Sequence, residues 1–279
     1  MPGTLGAVNT PVWDDHEWKP LPRLEGTVRA DVCVVGLGGS GLAAEPYAGP
    51  EGRGLLLPTD GVIQPLQRVR AMAHRLRQRE VLLYENSPAM KLVPGSVVTE
   101  HGTVFCDTVI VAVDGRLEAV LSELAGRVRT ARLQMLATAP APEVDFPRPV
   151  YWRHGYEYWQ QLPDRSIALG GFRDHALEQE WTHDTGPTGF IQDLLEKFLR
   201  ENLKVAAPVT HRWAASVGYT PDGLPVLEEV RPKTWAVGGY NGTGNIVGGL
   251  SARAAARLAC GQASPWAEAL AAARAHAIK

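Results

Sequence analysis

Cysteine is scarce in this sequence: three residues, Cys33, Cys106 and Cys260, are scattered through 279 positions. An odd, unspaced set gives neither a disulfide framework nor the paired spacing of a metal site. Cys33 and Cys106 each lie in an apolar, strand-like run, where a thiol acts as a small hydrophobe. Long hydrophobic runs are also lacking. No apolar stretch reaches bilayer-spanning length, and the opening residues show no basic segment followed by an apolar one. A reducing cytoplasm is the expected location. The third absence is an excess of charge of one sign: 28 Lys and Arg face 30 Asp and Glu, a formal net charge of -2. That balance gives no electrostatic case for nucleic acid, whose binders show a basic face or stripe. The nearest basic run, Arg68, Arg70, Arg75, Arg77 and Arg79, fits the solvated side of a helix whose other side carries Leu66, Val69, Met72 and Leu76. Ser/His/Asp and Cys/His nucleophilic sets have no local motif. There is no internal repeat and no low-complexity tract.

The hydrophobic content is 45%, enough to build a core, and the length fits one large domain or two small ones. Thr10 to Arg29, rich in proline and tryptophan, reads as an extended arm. Ala30 to Val35 reads as a buried parallel strand, followed by glycines and a helix start at Ser40 to Glu45. A helix over Pro65 to about Arg79 leads into a strand at Val81 to Tyr84. Thr103 to Val113 gives two short strands, and Leu117 to Leu124 a short amphipathic helix. The middle third is β-type at Leu133 to Ala139, Val150 to Leu162 and Ser166 to Phe172, with a hairpin turn at Asp164-Arg165. Gly189 to Leu203 carries a helical core stripe of Ile191, Leu194, Leu195, Phe198 and Leu199. Then follow a strand at Val209 to Val217, a turn at Thr220 to Gly223, a strand at Thr234 to Val237, a helix at Gly248 to Cys260 and an Ala-rich terminal helix. The expected class is mixed α/β: an arm (1–29), a discontinuous nucleotide-binding domain (30–129 and 216–279) and an inserted antiparallel sheet (130–215) for the substrate.

Gly36-Leu37-Gly38-Gly39-Ser40-Gly41 satisfies G-x-G-x-x-G between a predicted strand and a predicted helix. The first glycine allows the tight turn, the second lets backbone approach a pyrophosphate, and the third allows close strand–helix packing. The phosphate then sits at a helix N-terminus. This motif alone does not separate FAD from NAD, so a nicotinamide dehydrogenase stays open. A second glycine-rich junction, Gly239-Tyr240-Asn241-Gly242-Thr243-Gly244-Asn245, also joins a strand to a helix. Its amides are placed to meet another part of an extended cofactor, where donors near a flavin stabilise charge on reduction.

Together these pieces resemble the D-amino-acid oxidase family of FAD-dependent oxidoreductases. The likeness runs in order through Ala30 to Gly36, Asp60-Gly61-Val62-Ile63-Gln64-Pro65 with the following helix and strand, and Asp107 to Ala112. It continues through His211-Arg212-Trp213-Ala214, Thr220-Pro221-Asp222-Gly223-Leu224-Pro225 and Gly239 to Asn245. The pattern is nearest to members like glycine or sarcosine oxidase and γ-glutamylputrescine oxidoreductase. The resemblance implies an FAD-binding Rossmann-type fold and oxidation of a C–N bond by hydride transfer to flavin. It also implies oxygen or another electron acceptor, and no nucleic acid or membrane partner. FAD would be held by Gly36 to Gly41 and by Gly239, Asn241, Gly242, Thr243, Gly244 and Asn245.

Two departures shape the expectation. In relatives acting on α-amino acids, an arginine before the Asp-Gly-Leu-Pro turn pairs with the substrate carboxylate, and Val217 stands at that position here. Valine cannot make a bidentate ion pair, which favours an amine, although Arg153 and His154 are alternative carboxylate partners. After Glu45, Pro46, Gly49, Pro50, Gly52 and Gly54 forbid the expected crossover helix. The chain reads as though a large internal piece has been lost between Glu45 and Leu55. That leaves a second reading, a non-catalytic remnant without cofactor. Arg153, Tyr156, Tyr158 and Trp159 are the candidate substrate wall, against ordinary sheet packing for the aromatics. His211 is a candidate for poising a proton, against a structural strand histidine.

Overall fold

In the computed structural model the structure describes residues 45–58, 61–93 and 95–277. The expected arm, the strand at Ala30 to Val35, the motif Gly36 to Gly41, Cys33 and Asp60 lie outside the described residues.

The architecture is mixed α/β with mainly antiparallel sheets. One sheet has five antiparallel strands in the order β11-β7-β10-β9-β8, where β7 is Arg129–Pro140, β8 Val150–Trp152, β9 Glu157–Gln161, β10 Ser166–Gly171 and β11 Val209–Tyr219. The hairpin joining β9 to β10 turns at Arg165, which adopts positive φ, and Asp164 caps it by accepting from the Ser166 amide and hydroxyl. A helix over Gly189–Glu201 packs on this sheet, burying Ile191, Leu195, Phe198 and Leu199. These side chains join Leu136, Trp159, Ile167 and Leu169 in one core cluster. Burial of each such side chain contributes about 1.5–3 kcal/mol, so the apolar stripe rather than helix propensity fixes that element.

A second cluster gathers Val111, Leu117, Leu121, Leu124, Val128, Val226 and Ala236. It lies against a three-stranded sheet in which β12 (Val226–Arg231) pairs antiparallel with β13 (Thr234–Gly238), and β13 pairs parallel with β6 (Val109–Val111). A helix over Val247–Ala259 follows β13 and buries the small residues Gly248, Ser251, Ala254 and Ala255. Trp266 of the terminal helix, Pro265–Ala277, donates to Ser251 Oγ at 3.1 Å. Smaller sheets complete the fold: a meander of β3 (Ala89–Val93), β4 (Ser96–Thr99) and β5 (Thr103–Phe105), and a hairpin of β1 (Glu45–Gly49) with β2 (Gly52–Leu56).

Several expectations are corrected. Val81 to Tyr84 forms no strand and lies exposed. Apolar content alone does not make a strand, and no strand among the described residues pairs with this segment. The helix starting at Pro65 ends at Arg77 and buries nothing: Leu66, Val69, Met72 and Leu76 are each more than two-fifths exposed, like its arginine side. Glu45 begins a strand rather than closing a helix. Leu55 and Leu56 lie in an antiparallel strand of a tight hairpin whose glycines and proline suit the turn. The helix expected over Leu117 to Leu124 splits into Leu117–Val120 and a 3-10 turn at Ser122–Leu124. Strands β3, β4 and β12 were not anticipated.

Candidate active site

The end of β13 runs into a sharply folded turn. Gly239, Asn241 and Gly242 all have positive φ, at 64°, 53° and 86°, a region open to glycine and tolerated by asparagine. A Cβ at Gly238 would overlap the Val113 carbonyl, so the turn sits hard against the residues after β6. Asp114, next in the chain, locks it: Oδ1 accepts from the Tyr240 amide at 2.8 Å and Oδ2 from the Gly218 amide at 3.2 Å. Burial raises the Asp114 carboxyl above its ordinary range, and the amides of Tyr240, Gly218 and Gly239 draw it partly back. Asn241 Oδ1 accepts from the Thr220 amide at 2.9 Å, while Nδ2 donates to the Gly239 carbonyl and Thr220 Oγ1. Thr243 Oγ1 donates to the Tyr240 carbonyl. The Tyr240 ring lies over Gly244 and Gly248, and burial pushes its phenol up to about 12.

Helical bonding begins with the amides of Val247 and Gly248, which donate to Thr243 and Gly244. The amides of Gly242, Gly244 and Asn245 have no acceptor among the described residues. The turn therefore offers several backbone donors at a helix entry, the requirement for holding an electron-rich group. Their partner in the sequence reading, Gly36 to Gly41, lies outside the described residues.

The five-stranded sheet supplies an aromatic face beside Gly218. Tyr158 pairs with Gly170 across β9 and β10; its ring covers that glycine, with atoms 2.6 Å from where a Cβ would stand. Burial pushes the Tyr158 phenol up to about 12, and nearby Tyr219 and Tyr151 add to the shift. Tyr219, at the end of β11, is also raised by burial, with Arg173 opposing and Asp114 and Tyr156 adding. Tyr219 meets Trp181 edge-to-face at 5.6 Å. The Arg173 guanidinium lies 4.8 Å from the Trp181 ring centre and 4.9 Å from that of Tyr219. Arg129 covers Trp181 at 4.3 Å.

The expected wall thus divides. Tyr156 and Tyr158 come together with Tyr219, Arg173 and Trp181. Trp159 does not: it is buried in the core against Phe146 and Phe198, because adjacent strand residues point to opposite faces. Arg153 stands near the wall, over the Tyr156 ring at 5.8 Å, but its guanidinium is committed to two carboxylates. It bonds both oxygens of fully buried Glu157 and meets Asp174 at 2.9 Å. His154 beside it is exposed, with positive φ. His211 is exposed on edge strand β11, bonded to Thr210 Oγ1 at 2.9 Å, and roughly 25 Å along the strand from Tyr219 at about 3.3 Å per residue. Asp114, Arg173, Trp181 and Tyr219 were missed. Tyr219 was findable, because it shares a strand face with Val217, and so was Asp114, which ends the apolar run of β6 beside the turn. Nothing local marks Arg173. Two clefts, of about 330 Å³ by His175 and Phe190 and about 310 Å³ by Leu227 and Arg274, contain none of these residues.

Comparison with known proteins adds independent findings. A family model described as DAO, FAD dependent oxidoreductase, matches residues 42–258. A probable oxidoreductase, OrdL, of Rhizobium meliloti (strain 1021) is 26% identical over 219 residues, covering 73% of this chain and 48% of its own length. Glycine oxidase from Bacillus cereus ATCC 14579 superposes with a TM-score of 0.63 at 16% identity, over 77% of this chain and 61% of that one. L-proline dehydrogenase from P. horikoshii gives 0.61 at 18%, over 75% and 59%. The chain spans about half the length of the curated relative and about three-fifths of these two structures.

Proposed function

We propose, from the premise that this chain belongs to the DAO family of FAD dependent oxidoreductases, that it oxidises a C–N bond of an amine or amino acid. One observation carries the reading: within the stretch matched to the family, the turn from Gly239 to Asn245 is locked by Asp114 and keeps three amides without acceptors among the described residues. Such donors fit the electron-rich edge of a flavin. The residues that would hold FAD are Gly239, Asn241, Gly242, Thr243, Gly244 and Asn245, with Gly36 to Gly41 on the pyrophosphate. When bound, FAD supplies the hydride acceptor, and oxygen or another acceptor takes up the electrons in turn.

The chain's own residues bind, orient and exclude water. Tyr156, Tyr158 and Tyr219 form the wall of the substrate site, on a sheet read as the substrate domain at about residues 130–215. The Tyr158 phenol, pushed up to about 12, keeps its proton at neutral pH, so it donates hydrogen bonds and does not act as a base. Asp114 is occupied by backbone amides, so its task is to hold the turn. An amine must enter uncharged to release hydride, and the guanidinium of Arg173 disfavours an ammonium beside it.

A second reading, a scaffold of the same family that holds no cofactor, draws on the hairpin Glu45–Leu56. Its ten paired residues leave no room for a helical crossover there. One experiment decides between the two: visible spectra of the purified full chain after incubation with FAD and removal of excess, then anaerobic addition of amines and amino acids. Flavin bands that bleach with a substrate are expected. A colourless protein overturns the flavin reading, and saturable NAD binding without flavin would select a nicotinamide enzyme instead.

A further inference from the structure

We infer that Arg173 is the specificity-determining cation of this site, taking a carboxylate carried by the substrate. The inference rests on the reading of the site as one for amines or amino acids, and it concerns what replaces the missing arginine at Val217. The observation behind it is a comparison of the arginines around the aromatic wall. Arg129 has Glu178 at 3.5 Å, Arg132 has Glu180 and Asp184, and Arg153 has Glu157 and Asp174. Arg173 alone of these has no carboxylate and no hydrogen bond among the described residues. Its Nη1 is buried without an acceptor. The side chain is half-buried, and its guanidinium carbon lies over the rings of both Trp181 and Tyr219.

A half-buried cation with one nitrogen out of water and no counter-ion is costly, and the cost falls when an anion arrives. Cation–π contact with two rings restrains the guanidinium before binding, so less side-chain freedom remains to be lost. Tyr219 links the cation to Gly218 and Asp114, and through Asp114 to the glycine turn. A molecule whose carboxylate rests on Arg173 therefore lies between the wall of Tyr156 and Tyr158 and that turn. Valine at position 217 removes one anion partner, and Arg173 supplies another from a different strand end. The favoured substrates are accordingly amino acids, or amines with a carboxylate.

The test is isothermal titration of the full chain with phenylacetate and with its neutral counterpart phenylacetamide, each with and without FAD. Wild type should prefer phenylacetate by about ten-fold or more, the scale of one charge-assisted hydrogen-bond pair. Arg173→Met should erase the preference by lowering the affinity for phenylacetate far more than that for the amide. Arg173→Lys should keep part of it. A purely structural role for Arg173 would weaken both compounds alike. Equal binding of the two compounds by wild type, or an undiminished preference in a folded Arg173→Met chain, overturns the inference. Should Arg173→Met fail to fold, the wild-type comparison and Arg173→Lys still decide: a full preference in the lysine variant counts against a bidentate guanidinium role. Failure of the flavin reading shows separately, as missing flavin bands, whichever way the carboxylate preference falls.

Discussion

Replacing Arg132 with methionine should destabilise this protein more than any exposed charge change. Arg132 on β7 and Glu180 are 5% and 1% exposed, and they form a two-pronged pair at 3.0 and 3.0 Å. Gln134 Nε2 donates to both Glu180 oxygens, and Arg132 also donates to the Gly186 carbonyl. Methionine fills similar volume but leaves the Glu180 carboxylate dehydrated, with Gln134 as its remaining donor. Removing one partner of a buried pair costs about 3–5 kcal/mol. At about 2–4 °C per kcal/mol for a chain of this size, the midpoint should fall by roughly 6–20 °C. Circular dichroism melting and urea titration measure it. The double variant Arg132→Met/Glu180→Leu, which removes both charges, should recover at least about half the loss. Trp181 follows Glu180 directly, so its emission should shift in the single variant. A midpoint within about 2 °C of wild type would refute the argument, because it would mean that Glu180 is not held in a dry site.

Two further outcomes follow from packing and titration. Gly170→Ala places a methyl 2.6 Å from Tyr158 ring atoms; the ring must swing out, costing about 1–3 kcal/mol and weakening substrate binding, which melting and titration would register. Asp222 is subject to burial, which raises its carboxyl, but Arg274 at 2.7 Å and the Leu224 amide outweigh that and hold it below its ordinary 3.8. Its stabilisation is therefore present above pH 3.8 and lost as pH falls through the folded value. Arg274→Ala should cost about 1 kcal/mol at pH 7, and the gap from wild type should close below about pH 4; a pH-independent gap in melting curves would contradict this.

Much of the fold was legible because burial writes a period into the sequence. The stripe of Ile191, Leu195, Phe198 and Leu199 predicted a helix, and core packing uses those same residues. The hairpin at Asp164-Arg165 announced itself through turn chemistry. Val81 to Tyr84 misled for a tertiary reason: a sheet position depends on a partner elsewhere, and the sequence of one segment does not contain it. The same reason hid β12, whose pairing is set by β13. Within the site, the glycine turn was readable because positive φ demands glycine or asparagine. Trp159 was misplaced because a cluster of aromatics was read without the alternation of a strand. Arg173 carried no local mark, since an arginine's meaning here lies in which carboxylates are absent around it.

The lock between Asp114 and Tyr240 joins residues 126 positions apart, and the parallel pairing of β6 with β13 spans nearly the same interval. Closing so long a loop is slow, since chain entropy must be lost before the contact forms. On a ribosome adding about 5–20 residues per second, Val109–Val111 would wait on the order of ten seconds for the strand that completes its sheet. During that time β7, β9 and β10, joined by short connections, have what they need to assemble. The turn from Gly239 to Asn245, which Asp114 locks, is then completed against a sheet that has already had time to order.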